Sequence, residues 1–156
     1  MSSSKKPLDL EHVLQVLRDN RAKKYELLHV SKPGDAGFNL IGVETVIIPP
    51  GLIPPVEIPT GIRIKLPRGM FARIEPRSSM YSAYPMLVLC SAPIDNGYTG
   101  PLGPRFRNLG SVPAVVAAGD ALVQLVLYPL SVPEVVEVDE LPETARGADR
   151  YGSTGK

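Results

Sequence analysis

The sequence predicts an all-β domain, a double-sheet jelly roll or a similar barrel, and three observations carry that prediction. Proline and glycine, 17 and 14 of the 156 residues, make up about a fifth of the chain, where average usage is roughly an eighth. Proline breaks the helical ladder and glycine weakens it, which excludes a helix bundle. Hydrophobic residues make up 44% of the chain, enough to bury a core. From Tyr25 onward apolar and polar residues alternate between frequent turn signals, the pattern of short strands.

The first segment is the exception. Leu10, Val13, Leu14 and Leu17 fall at i, i+3, i+4 and i+7, so a short N-terminal helix is expected within residues 1–24. Pro7 is tolerated at a helix start, and Asp9 and Glu11 suit the positive end of its dipole. This stripe is expected to pack on the β domain or on a neighbouring subunit. In the β domain, residues 25–142, Ile62, Ile64 and Leu66 alternate with Arg63 and Lys65, a strand with one wet face. Phe71 to Glu75, Leu87 to Cys90, Val112 to Val116, Leu122 to Leu127 and Val132 to Val138 are further strand candidates. Pro49-Pro50-Gly51, Pro54-Pro55, Pro67-Arg68-Gly69 and Asp95-Asn96-Gly97 punctuate them. Roughly ten short strands in about 115 residues fit a jelly roll. The tail, residues 143–156, carries almost no apolar side chains and is expected to need a ligand or subunit to order it.

Charge and composition exclude several functions. The 17 Lys and Arg against 16 Asp and Glu leave a net charge of +1, without the basic excess of a nucleic-acid surface. The one cysteine, Cys90, can form neither an intrachain disulfide nor a zinc cluster. No apolar run approaches the length of a membrane span. Lys5 and Lys6 precede a segment too charged for a signal-peptide core. An intracellular, cytoplasmic protein is expected, with no nucleic-acid or membrane partner.

Three polar segments stand out. In the tail, Gly152-Ser153-Thr154-Gly155 offers hydroxyls and backbone amides suited to phosphate oxygens, beside Arg146, Arg150 and Lys156. Tyr151 is placed to lie over a base. Taken alone, the tail reads equally as a frayed terminus. Glu75-Pro76-Arg77-Ser78-Ser79-Met80 puts a guanidinium and two hydroxyls after a strand, either a binding loop or an ordinary strand-end turn. Ile94-Asp95-Asn96-Gly97-Tyr98 is a hairpin signal, because Asn and Gly tolerate positive φ. Asp95 there is either a turn former or a general base, with Tyr98 a packing platform for a sugar.

In this order, the segments resemble the five motifs of the trimeric dUTPase family (dUTP pyrophosphatases). Asp35-Ala36-Gly37-Phe38-Asn39-Leu40 is similar to the first, Ala-Gly-Tyr-Asp-Leu, and Pro76-Arg77-Ser78-Ser79 to the second, Pro-Arg-Ser-Gly. Ile94 to Gly100 matches the third, Ile-Asp-x-x-Tyr-x-Gly, and Gly119 to Leu125 resembles the fourth, Gly-Asp-Arg-Ile-Ala-Gln-Leu. Arg146-Gly147 through Gly155 fits the fifth in spacing. The resemblance runs from about Tyr25 to the end of the sequence.

The resemblance implies a distorted jelly roll, or β-clip barrel, assembled as a homotrimer with sites shared between subunits. It implies Mg²⁺-dependent hydrolysis of dUTP to dUMP and pyrophosphate, which lowers dUTP and supplies dUMP for dTTP synthesis. Asp95 would orient and deprotonate the water that attacks the α-phosphorus, since phosphoryl transfer relies on positioning and charge neutralisation. Arg77, Ser78, Ser79 and Gln124 would hold the phosphate region. Ile94 and the hairpin backbone would read the uracil edge, and Tyr98 would pack on the deoxyribose. Arg146, Tyr151, Gly152, Ser153 and Thr154 would close over the nucleotide. Mg²⁺ would sit on phosphates and water, with no direct protein ligand and Asn39 in its outer shell.

Four positions depart from the family's pattern. Asn39 stands for an aspartate, Ser79 for a glycine, Ala121 for an arginine, and Ala148-Asp149-Arg150 for a glycine-rich stretch. Asn39 still accepts a hydrogen bond but carries no charge. The second and third motifs also resemble those of dCTP deaminases, which share the fold. Their glutamate falls on Arg105 by spacing, and an arginine cannot shuttle the proton that deamination needs. A deaminase-like enzyme and a non-catalytic or regulatory nucleotide-binding relative are the alternatives.

Overall fold

The computed structural model describes residues 9–51 and 54–144. Eleven short strands and one short helix form among them. In chain order they are β1 (Gln15–Arg18), β2 (Gly37–Leu40), β3 (Val46–Ile48), β4 (Val56–Glu57), β5 (Ile62–Lys65) and β6 (Met70–Pro76). After α1 (Ser78–Ala83) come β7 (Leu87–Leu89), β8 (Pro101–Leu102), β9 (Arg105–Asn108), β10 (Ala114–Val116) and β11 (Val123–Pro129). The strands named here pair antiparallel throughout, in four small sheets ordered β1-β5-β8, β10-β3, β2-β11-β6 and β4-β9-β7. The all-β expectation holds, but among the described residues these sheets do not close into a barrel. No helix of the described residues is long and apolar enough to cross a membrane.

Among the described residues the N-terminal stripe does not form an α-helix. Leu10–His12 make a single 3-10 turn, capped by the Asp9 carboxylate on the Glu11 amide at 3.1 Å, and the chain then extends into β1. β1 pairs with β5 from Gln15↔Lys65 to Arg18↔Ile62. The stripe that suggested a helix is not buried as a unit, since Leu10 is 54% and Leu17 66% exposed. Leu14 and Val16, two residues apart, pack on the core instead, the period of a strand. The free edge of β5 supplies hydrogen-bond partners, and tertiary pairing overrides local periodicity. By its hydrogen bonds, β1 belongs to the β domain.

The strand expected over Val132 to Val138 is also absent. Val132, Val135, Val136 and Val138 are exposed, because no strand of the described chain offers them a ladder. Elsewhere alternation is borne out. β5 buries Ile62 and Ile64 and exposes Arg63 and Lys65. β9 buries Phe106 and Asn108 and exposes Arg105 and Arg107.

One core gathers from all four sheets around Leu40, Ile48, Ile64, Ala72, Phe106, Val116 and Leu125. Its two buried polar residues are satisfied. Asn108 donates to the carbonyls of Ile48 at 3.0 Å and Val112 at 2.8 Å, while its oxygen accepts from the Gly110 amide at 2.9 Å. Thr60 donates to the Leu102 carbonyl at 2.6 Å and accepts from the Ile62 amide. Such groups are costly to bury unless paired.

Asp19 organises the turn after β1. Its carboxylate accepts from the backbone amides of Arg21 at 2.9 Å and Ala22 at 3.0 Å and pairs with the Arg21 guanidinium, which also reaches Glu44. The Arg21 hydrogen bond, aided by the Ala22 amide, holds the Asp19 carboxyl below the usual carboxylate range. A depressed native pKa stabilises the fold above that range and is lost as pH falls through it. Gly61 lies against this carboxylate at φ +64, where a Cβ would meet the Asp19 carboxyl carbon at 2.9 Å.

Gly61→Ala should therefore destabilise the fold by about 1–2 kcal/mol or more from the left-handed backbone alone, read as a lower thermal midpoint. Gly97→Ala is the control: no positive φ and no neighbour within 4 Å constrain that position. It should shift stability by no more than about 0.5 kcal/mol.

Candidate active site

A hairpin between β7 and β9 builds the first part of the site. The Cys90 amide donates to the Arg105 carbonyl at 2.7 Å, and Ser91 to Pro93 lead into the buried Ile94. Ile94 exchanges two backbone hydrogen bonds with Ala72 of β6, at 2.7 and 3.0 Å. The next four residues turn, closed by the Tyr98 amide on the Asp95 carbonyl at 3.0 Å. The positive φ expected from Asn-Gly is not used: no non-glycine residue among those described has it, and neither does Gly97.

Asn96 serves the turn through its side chain. Its amide nitrogen donates to the carbonyls of Pro67 and Met70, each at 2.7 Å, while Lys65 reaches the Asn96 carbonyl at 3.3 Å. An amide with two N–H donors is the side chain that can clamp two carbonyls at once. The Tyr98 hydroxyl donates to the Pro101 carbonyl at 3.0 Å, and its ring crosses Gly100, where any Cβ would overlap it. Between the hairpin's two legs lies a cavity of about 360 Å³, lined by Ile74, Ile94, Asp95, Tyr98 and Arg105 among others. Asp95 is exposed at this cavity.

The second part stands where β6 ends. The Arg77 amide donates to the Leu122 carbonyl at 2.9 Å and its guanidinium to the Ala121 carbonyl at 3.0 Å. That leaves Nε and the second terminal nitrogen for an anion. Ser78 and Ser79 follow, exposed in the first turn of α1, which the buried Met80 pins to the core. Beside them, cross-strand register aligns Asn39, Gln124 and Glu75 in one row. The neighbouring row Phe38, Leu125 and Ile74 faces the core, so this polar row faces out. Gln124 donates to the Pro76 carbonyl at 3.4 Å, and Asn39 donates to the Ser31 hydroxyl at 2.8 Å.

Asp120, four residues before Gln124, is structural. It accepts from the Ala117 amide at 3.1 Å and lies 3.1 Å from the Tyr84 hydroxyl, which also approaches the Val115 carbonyl at 3.0 Å. Burial, reinforced by the Asp120 carboxylate, pushes the Tyr84 hydroxyl above its ordinary pKa.

The chain does not bring these two parts together. Arg77, Ser78, Ser79, Gln124 and Asn39 do not line the hairpin cavity. Ile94 lies opposite Ala72 in an antiparallel bridge, so the chain carries Asp95 toward Phe71 and away from Arg77. Phe71 and Arg77 are six residues apart, roughly 20 Å along an extended strand. Arg146, Tyr151, Gly152, Ser153 and Thr154 lie outside the described residues.

Sequence reasoning missed Asn96 as a clamp, because Asn-Gly reads as turn chemistry alone. It missed Glu57 on the cavity wall, which no sequence pattern marks. Among the described residues no three His, Cys, Asp or Glu side chains converge on a metal position. The donor set suits a cation held on phosphates and water: Asn39 turns its nitrogen to Ser31, leaving its oxygen to accept from a water.

The dUTPase family pattern matches residues 23–155. Deoxyuridine 5'-triphosphate nucleotidohydrolases are among the relatives. That of Paramecium bursaria Chlorella virus 1 is 37% identical over 122 residues, 78% of this chain and 84% of the relative. That of Clostridium novyi is 41% identical over 123 residues, 78% and 85%. Among solved structures, a variant dUTPase of Staphylococcus bacteriophage 80alpha with dUpNHpp superposes at a TM-score of 0.78 with 25% identity, covering 92% of this chain and 99% of that one. A variant dUTPase of phage phi11 of S. aureus, described with a structural Mg(II) ion, gives 0.70 with 26% identity over 83% and 98%.

If the Asn96 amide clamps the hairpin as described, Asn96→Ala should cost about 1–3 kcal/mol, the scale of stranded carbonyl partners. Thermal unfolding measures the loss. Faster hydrogen exchange at the Ile94 and Tyr98 amides than at those of β11 would localise it.

Proposed function

The chain belongs to the dUTPase family, and on that footing we propose that it hydrolyses dUTP to dUMP and pyrophosphate with Asp95 as general base. Water adds to the α-phosphorus, the bond to the bridging oxygen breaks, and pyrophosphate leaves with both of its phosphoryl groups. The proton of the attacking water goes to the Asp95 carboxylate. A carboxylate serves this role when held within reach of the water, since general-base catalysis depends first on geometry. The Ile94–Ala72 bridge and the Asn96 clamp supply that fixity.

The observation that carries the reading is the separation of the two parts of the site. The base-side residues Ile94, Asp95 and Tyr98 and the phosphate-side residues Arg77, Ser78, Ser79 and Gln124 are complementary in chemistry but stand at opposite ends of β6. A homotrimer in which one copy's hairpin faces another copy's β6 end completes the site. The exposed run Val132, Val135, Val136 and Leu141 is then available to pack on a neighbour. In this reading the four sheets are the faces of a distorted jelly-roll, β-clip fold.

In the assembled site, Ile94 and its hairpin backbone face the uracil and Tyr98 packs on the deoxyribose. Arg77, Ser78, Ser79 and Gln124 hold phosphate oxygens. The Asn39 oxygen would accept from the water shell of a magnesium ion bound with the nucleotide, which would supply neutralisation of triphosphate charge. Residues 143–156 act as a lid, with Arg146, Ser153 and Thr154 on the phosphates, Gly152 giving close backbone approach and Tyr151 over the base. The β domain, residues 25–142 with β1 docked on it, carries the rest. Removing dUTP and supplying dUMP place the enzyme with the nucleotide pool, in the cytoplasm or in that of a host cell for a viral gene.

A pyrophosphate-release assay over the deoxynucleoside and ribonucleoside triphosphates with Mg²⁺ tests the reading. Asp95→Asn should retain nucleotide binding while turnover falls at least about a hundredfold. Ending the chain at residue 145 should spare the fold and cripple turnover. Binding of dUTP without turnover by the intact chain would overturn the enzymatic reading, and conversion of dCTP to a uridine product would replace it with deamination.

A further inference from the structure

The hairpin cavity holds a charged pair that the proposed mechanism does not use. Register between β4 and β9 sets Glu57 opposite Arg105, and the Arg105 Nε donates to the Glu57 carboxylate at 3.2 Å. The neighbours Ile58 and Phe106 are buried, so strand alternation turns the pair away from the core. Both side chains line the same cavity as Asp95 and Tyr98. Gly103 makes room for this: a Cβ there would overlap the Glu57 side chain. Among the described residues, the two terminal nitrogens of Arg105 have no hydrogen-bond acceptor.

Three positions of the wall around the pair carry no backbone donor. Pro93, Pro101 and Pro104 all line the cavity, and proline has no N–H. A ring carbonyl entering the cavity meets three positions that cannot donate to it from the main chain. Arg105 offers what they lack, a planar fork with donors only.

From this we infer that Arg105 is a specificity-determining residue that hydrogen-bonds a pyrimidine ring carbonyl, with Glu57 as the positioning residue that fixes its plane. Uracil carries an acceptor oxygen at C4 where cytosine carries an amino donor. A guanidinium has no acceptor for that amino group, so cytosine would leave donors facing donors. Sites built on such a hydrogen bond reject the mismatched analogue far more strongly than apolar pockets do. Glu57 holds Nε and leaves both terminal nitrogens free, and without it the long side chain loses its fixed orientation. The inference rests on the reading of this cavity as the base pocket.

Steady-state pyrophosphate release from dUTP and from dCTP, on the full chain with Mg²⁺, tests it. In Arg105→Val, kcat/KM for dUTP should fall about tenfold, chiefly through KM, and the dUTP-to-dCTP selectivity ratio should fall by at least about tenfold. Glu57→Gln, nearly isosteric, should move the ratio in the same direction by less. It carries the test by the same criterion if Arg105→Val does not fold. A ratio within about twofold of wild type would overturn the inference while leaving the proposed function standing. That includes equal losses on both nucleotides, the result expected if Arg105 acted on the triphosphate. A wild-type chain inert on dUTP would overturn both.

Discussion

The two backbone hydrogen bonds between Ile94 and Ala72 are the constraint on which the rest of the structure depends. They fasten the hairpin to β6, the strand whose other end delivers Arg77, Ser78 and Ser79. Because the bridge is antiparallel, they also set the direction in which Asp95 departs. A bridge of the opposite sense would carry Asp95 toward Arg77. As built, one strand holds both halves of the chemistry rigidly and keeps them roughly 20 Å apart. Buried Ile94 and Ala72 shield the bridge from water, and the Asn96 amide secures the far side of the turn against the β5–β6 connection.

This arrangement gives the proposed trimer a catalytic reason. A separation set by a strand cannot be closed by side-chain motion, since an arginine reaches only a fraction of it. In the proposed trimer a second copy, approaching with its own β6 end, closes it. The same logic accounts for the polar row Asn39, Gln124 and Glu75 facing outward beside Arg77. In a lone chain that row is solvated surface. In the proposed trimer it faces the phosphates of a nucleotide whose base lies in another copy's hairpin. The Glu57–Arg105 pair adds charge to a pocket whose prolines have removed main-chain donors.

Much of the site was legible in the sequence, and the reasons for the rest are physical. The five ordered motifs mark Asp95, Arg77 and Gln124 as candidates because each combines a reactive group with turn or strand chemistry that survives in local sequence. Strand alternation in Ile62 to Leu66 was equally plain. The N-terminal segment misled because Leu10, Val13, Leu14 and Leu17 carry helical spacing while Leu14 and Val16 carry strand spacing, and only the free edge of β5 decides between them. Val132 to Val138 misled in the opposite way: its apolar residues suit a strand for which the described residues supply no partner. Asn96 was hidden behind its own turn signal, and Glu57 had no signal at all, because its meaning comes from a cross-strand neighbour 48 residues away. Arg105 stood out at the position where dCTP deaminases carry a glutamate, but its partner and its cavity are properties of the fold.

Complementation between two inactive chains reads out directly whether the site is completed between copies. Asp95→Asn and Arg77→Ala chains, each nearly inert alone, are co-expressed with different affinity tags and the mixed assemblies are purified. Sites that take Asp95 from one chain and Arg77 from another are intact in a fraction of these assemblies, so dUTP hydrolysis should return to a sizeable fraction of wild type. Activity no greater than the sum of the two variants alone, in assemblies verified to contain both chains, would contradict the account.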